Sequence, residues 1–177
     1  MKKQSVGRLR RPPLGLSKEA GNCTRKRQGE LSEIAFALKA TELGFRIFQP
    51  MGDSQRYDFI LDTGQHLWRI QVKSTGGDLG RQTNDRPYII NAYWASKGHV
   101  PYTADQIDFL AAYVVSLGVW YIIPIEAFAP RTSLPLYPDP DSKVVGRYEK
   151  YREAWSLLTN PKPAPAKTRP RSRRDNH

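Results

Sequence analysis

Cysteine occurs once in the 177 residues, at Cys23, so the chain can form no intramolecular disulfide, which fits a reducing compartment. The three histidines, His66, His99 and His177, are too scattered to suggest a metal cluster. No apolar run reaches the ~18 residues of a spanning helix, so no membrane association is expected. The basic start has no apolar stretch ahead of a cleavage site, which argues against a secretory signal. A cytoplasmic, nucleoid-associated protein is the expectation. Apolar residues are also few, 39% of the chain, and the shortfall sits mostly at the two ends.

Acids are scarce, 17 against 28 Lys and Arg, for a net charge of +11. The imbalance belongs to the ends. Residues 1–28 hold nine bases and one acid, residues 160–177 six bases and one acid, and residues 29–159 hold 13 bases and 15 acids. The pattern predicts a flexible basic arm over 1–24 and a disordered, basic, Pro-rich tail over 161–177. A core over 25–130 lies between them, followed by an extension over 131–160 with a helix over 148–158. Basic arms on a near-neutral domain suit sequence-independent attraction to phosphates. Arg8, Arg10, Arg11, Arg25, Lys26 and Arg27 are the candidates for nucleic-acid contact. Tails that serve only solubility are the plainer alternative.

Helical spacing begins near Gly29, with Leu31, Ile34, Ala35 and Leu38 as one apolar stripe, and Gly44 stands at the C-cap position. A short strand over 45–48 stops at Pro50. Two runs of strand character, 57–62 and 67–73, flank Asp62-Thr63-Gly64-Gln65 and predict a hairpin. Further strands are expected at 88–90, 109–115 and 119–123, with a glycine-rich loop after residue 75. The fold class is α/β, a mixed sheet flanked by helices.

Alternation along the second run puts Trp68, Ile70 and Val72 on one face, and Arg69, Gln71 and Lys73 on the other. A polar face on a central strand needs a reason. A loop centred on Gly64-Gln65 pairs residues whose numbers sum to 129, so Asp58 stands opposite Gln71 and Arg56 opposite Lys73. Opposed residues share a face, with Cβ atoms ~5 Å apart. Asp58, Gln71 and Lys73 therefore converge. A carboxylate and an amide oxygen are hard donors suited to Mg²⁺, beside a lysine able to offset phosphate charge. The rival interpretation is a solvated polar strand face.

The run Arg27-Gln28-Gly29-Glu30-Leu31-Ser32-Glu33, then Tyr57-Asp58, then Arg69-Ile70-Gln71-Val72-Lys73-Ser74 resembles the PD-(D/E)XK nucleases. Within them it is most similar to the bacterial group I intron homing endonucleases, which carry a Gln-X-Lys variant of the motif. It is also similar to archaeal Holliday-junction resolvases, where a helical Glu precedes the motif Asp. The resemblance implies a restriction-endonuclease-like fold and Mg²⁺-dependent DNA cleavage, with Mn²⁺ as a substitute. It matches Asp58 to the metal-binding acid, Gln71 to the second acid's position, Lys73 to the motif lysine and Glu33 to the helical glutamate. Glu30 competes with Glu33 for that last role. Two departures stand out: Tyr57 replaces the Pro of the name motif, and no long helix is visible after the third core strand.

Other features read as structural. Asp62, Asp105 and Asp108 suit turns or caps. His66 sits in the hairpin turn, and Tyr88, Tyr93, Trp94, Tyr102 and Tyr113 suit the core. Double-stranded DNA is the expected partner, and double-strand cleavage by one-site chains calls for a dimer or higher homo-oligomer. A non-catalytic DNA-binding protein on a nuclease fold, or a junction or repair nuclease, remains the alternative, and biological role is open.

Overall fold

The computed structural model describes residues 25–52, 54–76, 85–94 and 98–159. The expected arm over 1–24 and tail over 161–177 lie outside them, as does most of the glycine-rich loop. Among the described residues no helix is long and apolar enough to cross a membrane.

One α-helix, α1 (Arg25–Glu42), opens the described chain. Gly44 ends it at φ +84°, where the Phe45 N–H donates to Ala40 O at 3.0 Å. The buried stripe is not the expected one. Ile34 and Leu38 are 65% and 53% exposed, while Ser32, Phe36 and Ala40 are buried. The largest apolar contact decides the rotation of the helix: the Phe36 ring meets Phe59 at 5.4 Å, Trp120 at 5.7 Å and Trp155 at 5.8 Å. Ser32 fits that face because its hydroxyl donates back to Gln28 O at 2.7 Å.

The strands among the described residues are β1 (Arg46–Phe48), β2 (Phe59–Asp62), β3 (Leu67–Thr75), β4 (Tyr88–Asn91), β5 (Tyr93–Trp94), β6 (Val100–Pro101), β7 (Phe109–Val114), β8 (Val119–Pro124) and β9 (Ser133–Leu136). Five form one mixed sheet in the order β1-β2-β3-β7-β8, with β3 and β7 parallel and the other neighbours antiparallel. A parallel pair needs a crossover, usually helical. This crossover instead carries β4, β5 and β6, and its described residues contain no α-helix. Strand β4 pairs with β9, and β5 with β6, in two small sheets.

Strand β7 is buried at every position, which explains its unbroken apolar run. One face of the sheet carries Ile70, Val72, Ala111 and Ile122 with Phe36, and the other Leu110, Ala112, Tyr121 and Ile123 with β4 and β9. The extension over 131–159 packs into both cores through Leu134, Leu136, Trp155 and Leu158.

The helix expected over 148–158 is a correction: the segment forms two 3-10 turns, Glu149–Tyr151 and Trp155–Leu158. Between them Glu153 takes φ 47° and serves β8 instead of a helix. Its N–H donates to Trp120 O at 2.8 Å, and its Oε1 accepts the Trp120 N–H at 2.7 Å.

Candidate active site

The β2–β3 hairpin turns at Gly64, φ +84°, and Asp62 Oδ1 caps the turn by accepting the Gly64 N–H at 2.7 Å. Asp62 also pairs with Arg46 at 2.9 Å. The register runs Phe59↔Ile70 to Asp62↔Leu67, the pairing read from the sequence. Strand β2 begins at Phe59, but β3 continues to Thr75. Among the described residues, β3 therefore pairs beyond Ile70 with β7 alone and its other edge lies open.

Asp58 closes the start of that edge. Its N–H donates to Ile70 O at 2.9 Å, and its Oδ2 accepts the Val72 N–H at 2.7 Å and Gln71 Nε2 at 2.6 Å. Gln71 Nε2 also donates to Val72 O at 3.1 Å. Two acceptors on one nitrogen fix the amide's orientation and direct Gln71 Oε1 away from both.

A cavity of about 700 Å³ lies along the open edge, between α1 and β4. Glu33, Asp58, Gln71 and Lys73 all line it, so four candidates from three chain segments meet in one place. Glu30 does not line it, but lines a neighbouring groove with Glu33, Ile34 and Ile47. Arg25 reaches the cavity wall, Lys26 and Arg27 are exposed at the start of α1, and Arg8, Arg10 and Arg11 lie outside the described residues.

The remaining polar residue of the β3 face has a structural task. Arg69 grips Asp108 through Nε at 3.0 Å and Nη2 at 2.8 Å, and also donates to Asp105 O. The Arg69 N–H donates to Asp108 Oδ2 at 2.8 Å, so the pair ties the start of β7 to β3. Tyr57 packs against the core. Behind the site, Lys73 Nζ stands 5.9 Å from the ring of buried Tyr102, and the Arg56 guanidinium lies 3.0 Å from the Trp94 ring centre. Gln28, Ser74 and Asn91 also line the cavity, which sequence reasoning missed. Gln28 precedes Ser32 by one helical turn, the only local signal for it.

Burial dominates the electrostatics. It pushes Glu33 from its ordinary value of 4.5 up to about 7, with Asp58 adding to the rise and Lys73 opposing it. Burial also raises Asp58, against the Val72 N–H bond and Lys73, and lowers Lys73 against the pull of Asp58 and Glu33. Two acids short of positive charge, beside an amide oxygen, form a hard-oxygen donor set that a divalent cation fits. Among the described residues no three His, Cys, Asp or Glu side chains gather, so Gln71 must complete such a set.

The PD-(D/E)XK endonuclease family model matches residues 23–158. The chain belongs to this family. Among solved structures it is similar to a bacterial homing endonuclease, with 27% identity, a TM-score of 0.62, and coverage of 76% of this chain and 91% of that one. A comparison with curated proteins finds no match. This PD-(D/E)XK chain thus shares the nuclease fold, with β9 and both 3-10 turns inside the matched span.

The raised Glu33 has a measurable consequence in the metal-free protein. An acid whose folded pKa exceeds its unfolded one binds more protons when folded, so stability falls as pH rises from 4.5 to about 7 and the loss is complete above that. Glu33→Gln removes this loss. We expect the melting temperature of Glu33→Gln, measured in a chelator, to gain on the wild type progressively across that window. A difference that stays constant with pH excludes an elevated Glu33.

Proposed function

We propose that this protein is a Mg²⁺-dependent DNA endonuclease that hydrolyses phosphodiester bonds, with Mn²⁺ as an effective substitute. The observation that carries this reading is the convergence of Glu33, Asp58, Gln71 and Lys73 on one cavity at an open strand edge. Asp58, Gln71 and Glu33 would hold the cation. Bound there, it would supply Lewis-acid polarisation of a phosphate oxygen.

The chain's own residues do the rest. The Val72 N–H and the Gln71 amide lock Asp58 in one orientation before substrate arrives. Lys73, held in a poorly solvated position, offers its ammonium to the phosphate where charge develops, and low local polarity strengthens that contact. Lys26, Arg27 and the basic ends outside the described residues supply attraction to double-stranded DNA.

A second copy of the chain completes the proposal. Ile34, Leu38 and Phe48 leave 65%, 53% and 56% of their surface exposed on α1 and β1, an apolar surface suited to self-association. One experiment reads both claims. Supercoiled plasmid incubated with the purified protein should be nicked with Mg²⁺ and untouched with chelator. Linear product should rise more steeply than nicked circles as protein concentration increases. Mg²⁺-independent or absent nicking sinks the enzyme, and equal concentration dependence of the two products sinks the dimer.

A further inference from the structure

At about 700 Å³ the cavity is larger than a single phosphate needs, and its lining combines two kinds of chemistry. Its acids, Glu33 and Asp58, line it together with Gln71 and Lys73. It is also lined by Arg25, Gln28, Ser74, Thr75 and Asn91, which include a cation and several hydrogen-bond donors but no carboxylate. Such a set suits an anion, not a metal ion.

Two of these donors are held in place. Gln28 Nε2 donates to Ser74 Oγ at 3.3 Å, which joins α1 to β3 at this point. Gly76 leaves room for that amide: a Cβ there would stand 2.8 Å from Gln28 Oε1. The backbone contributes as well. In a parallel strand, alternate residues turn their N–H groups to the same edge. The Val72 N–H points to the open edge, where it meets Asp58, so the Ser74 N–H points there too. Two residues of strand advance about 6.6 Å, close to the separation of neighbouring phosphates along one nucleic-acid strand.

We propose that Arg25, Gln28 and Ser74 form a second phosphate site, which grips the nucleotide next to the scissile phosphate on the same strand. The identity of the first phosphate rests on the nuclease reading above. The second site positions the strand along β3, so that the scissile phosphate falls between Lys73 and the acids. It gives a role to the lining residues that a metal site does not use.

Thymidine 3′,5′-bisphosphate carries two phosphates at this spacing and requires no knowledge of DNA sequence preference. Its affinity, and those of the 3′- and 5′-monophosphates, are measured by calorimetry with Ca²⁺ present. The wild type should bind the bisphosphate at least about tenfold tighter than either monophosphate, the scale of one charge-assisted contact. Arg25→Ala should lose most of that preference. Gly76→Ala should weaken it by displacing the Gln28 amide, with no charge removed, and Arg25→Lys should restore part of it. An equal preference in wild type and Arg25→Ala, or none in the wild type, overturns the second site. Asp58→Ala separates the two readings. If Asp58 and Ca²⁺ have no influence on monophosphate binding but the preference still depends on Arg25, the nuclease assignment fails and the second site stands.

Discussion

Asp58→Ala and Lys73→Ala should each reduce plasmid nicking by about two orders of magnitude or more, the usual scale for losing a metal ligand or a transition-state charge partner. Neither should unfold the protein. Removing Asp58 leaves the Val72 N–H and the Gln71 amide without their partner, but both face a cavity of about 700 Å³ that admits water. Removing Lys73 relieves a group whose charged form burial disfavours. The two losses should not add, because both residues line one cavity and act on the same phosphate as a unit. The double variant should be about as slow as either single one. Near-normal nicking by either purified variant, with an unchanged melting transition, removes that residue from the site.

The hairpin was the most legible part of this protein, because its information is local. Gly64 allows the turn, alternation defines the faces, and a single register satisfies both; the ladder ends at Phe59↔Ile70, and Asp58 just beyond it meets Gln71 through its side chain. The buried strands β7 and β8 were legible for a similar reason, as apolar runs too short for helices.

Where the outcome depended on distant partners, local pattern misled. Two apolar stripes compete on α1, and the Leu31–Leu38 stripe holds more aliphatic residues. Phe36 wins because three aromatic rings from β2, β8 and the last 3-10 turn await it. The spacing of Tyr151, Trp155 and Leu158 is helical, yet Glu153 finds its hydrogen bonds on Trp120 of β8 and breaks the helix. The described residues of the crossover hold no α-helix, and nothing local signalled that β4 would pair with β9, 45 residues later from Tyr88 to Ser133. The Gln28–Ser74 contact was illegible because the two residues, 46 apart, acquire meaning only once α1 lies across β3.

Gln71→Glu should couple the fold to the metal far more strongly than in the wild type. The wild-type amide donates from Nε2 to Asp58 Oδ2 at 2.6 Å and to Val72 O at 3.1 Å. Glutamate places an oxygen where that nitrogen was, facing one carboxylate and one carbonyl with no proton to share. At such a separation two like charges repel by several kcal/mol even at an effective dielectric of about 20. The metal-free variant has three routes of relief: it takes up a proton, rotates the side chain away, or loses stability. In chelator we therefore expect a lower melting temperature than wild type at pH 8, with the deficit shrinking as the pH falls and one acid protonates. A divalent cation reverses the repulsion, since three acids then face it where two did. Mg²⁺ or Mn²⁺ should raise the melting temperature of the variant more than that of the wild type, and calorimetry should show tighter metal binding without DNA. The wild type, with fewer charges, should bind metal weakly alone and more tightly with DNA, because Mg²⁺ gives up its waters reluctantly and uses substrate phosphates as ligands. Cleavage need not accelerate in the variant, since tighter ground-state binding does not by itself stabilise the transition state. Equal metal affinity and equal metal-induced stabilisation in the two proteins exclude residue 71 from the ligand set. In that case Gln71 serves only to orient Asp58.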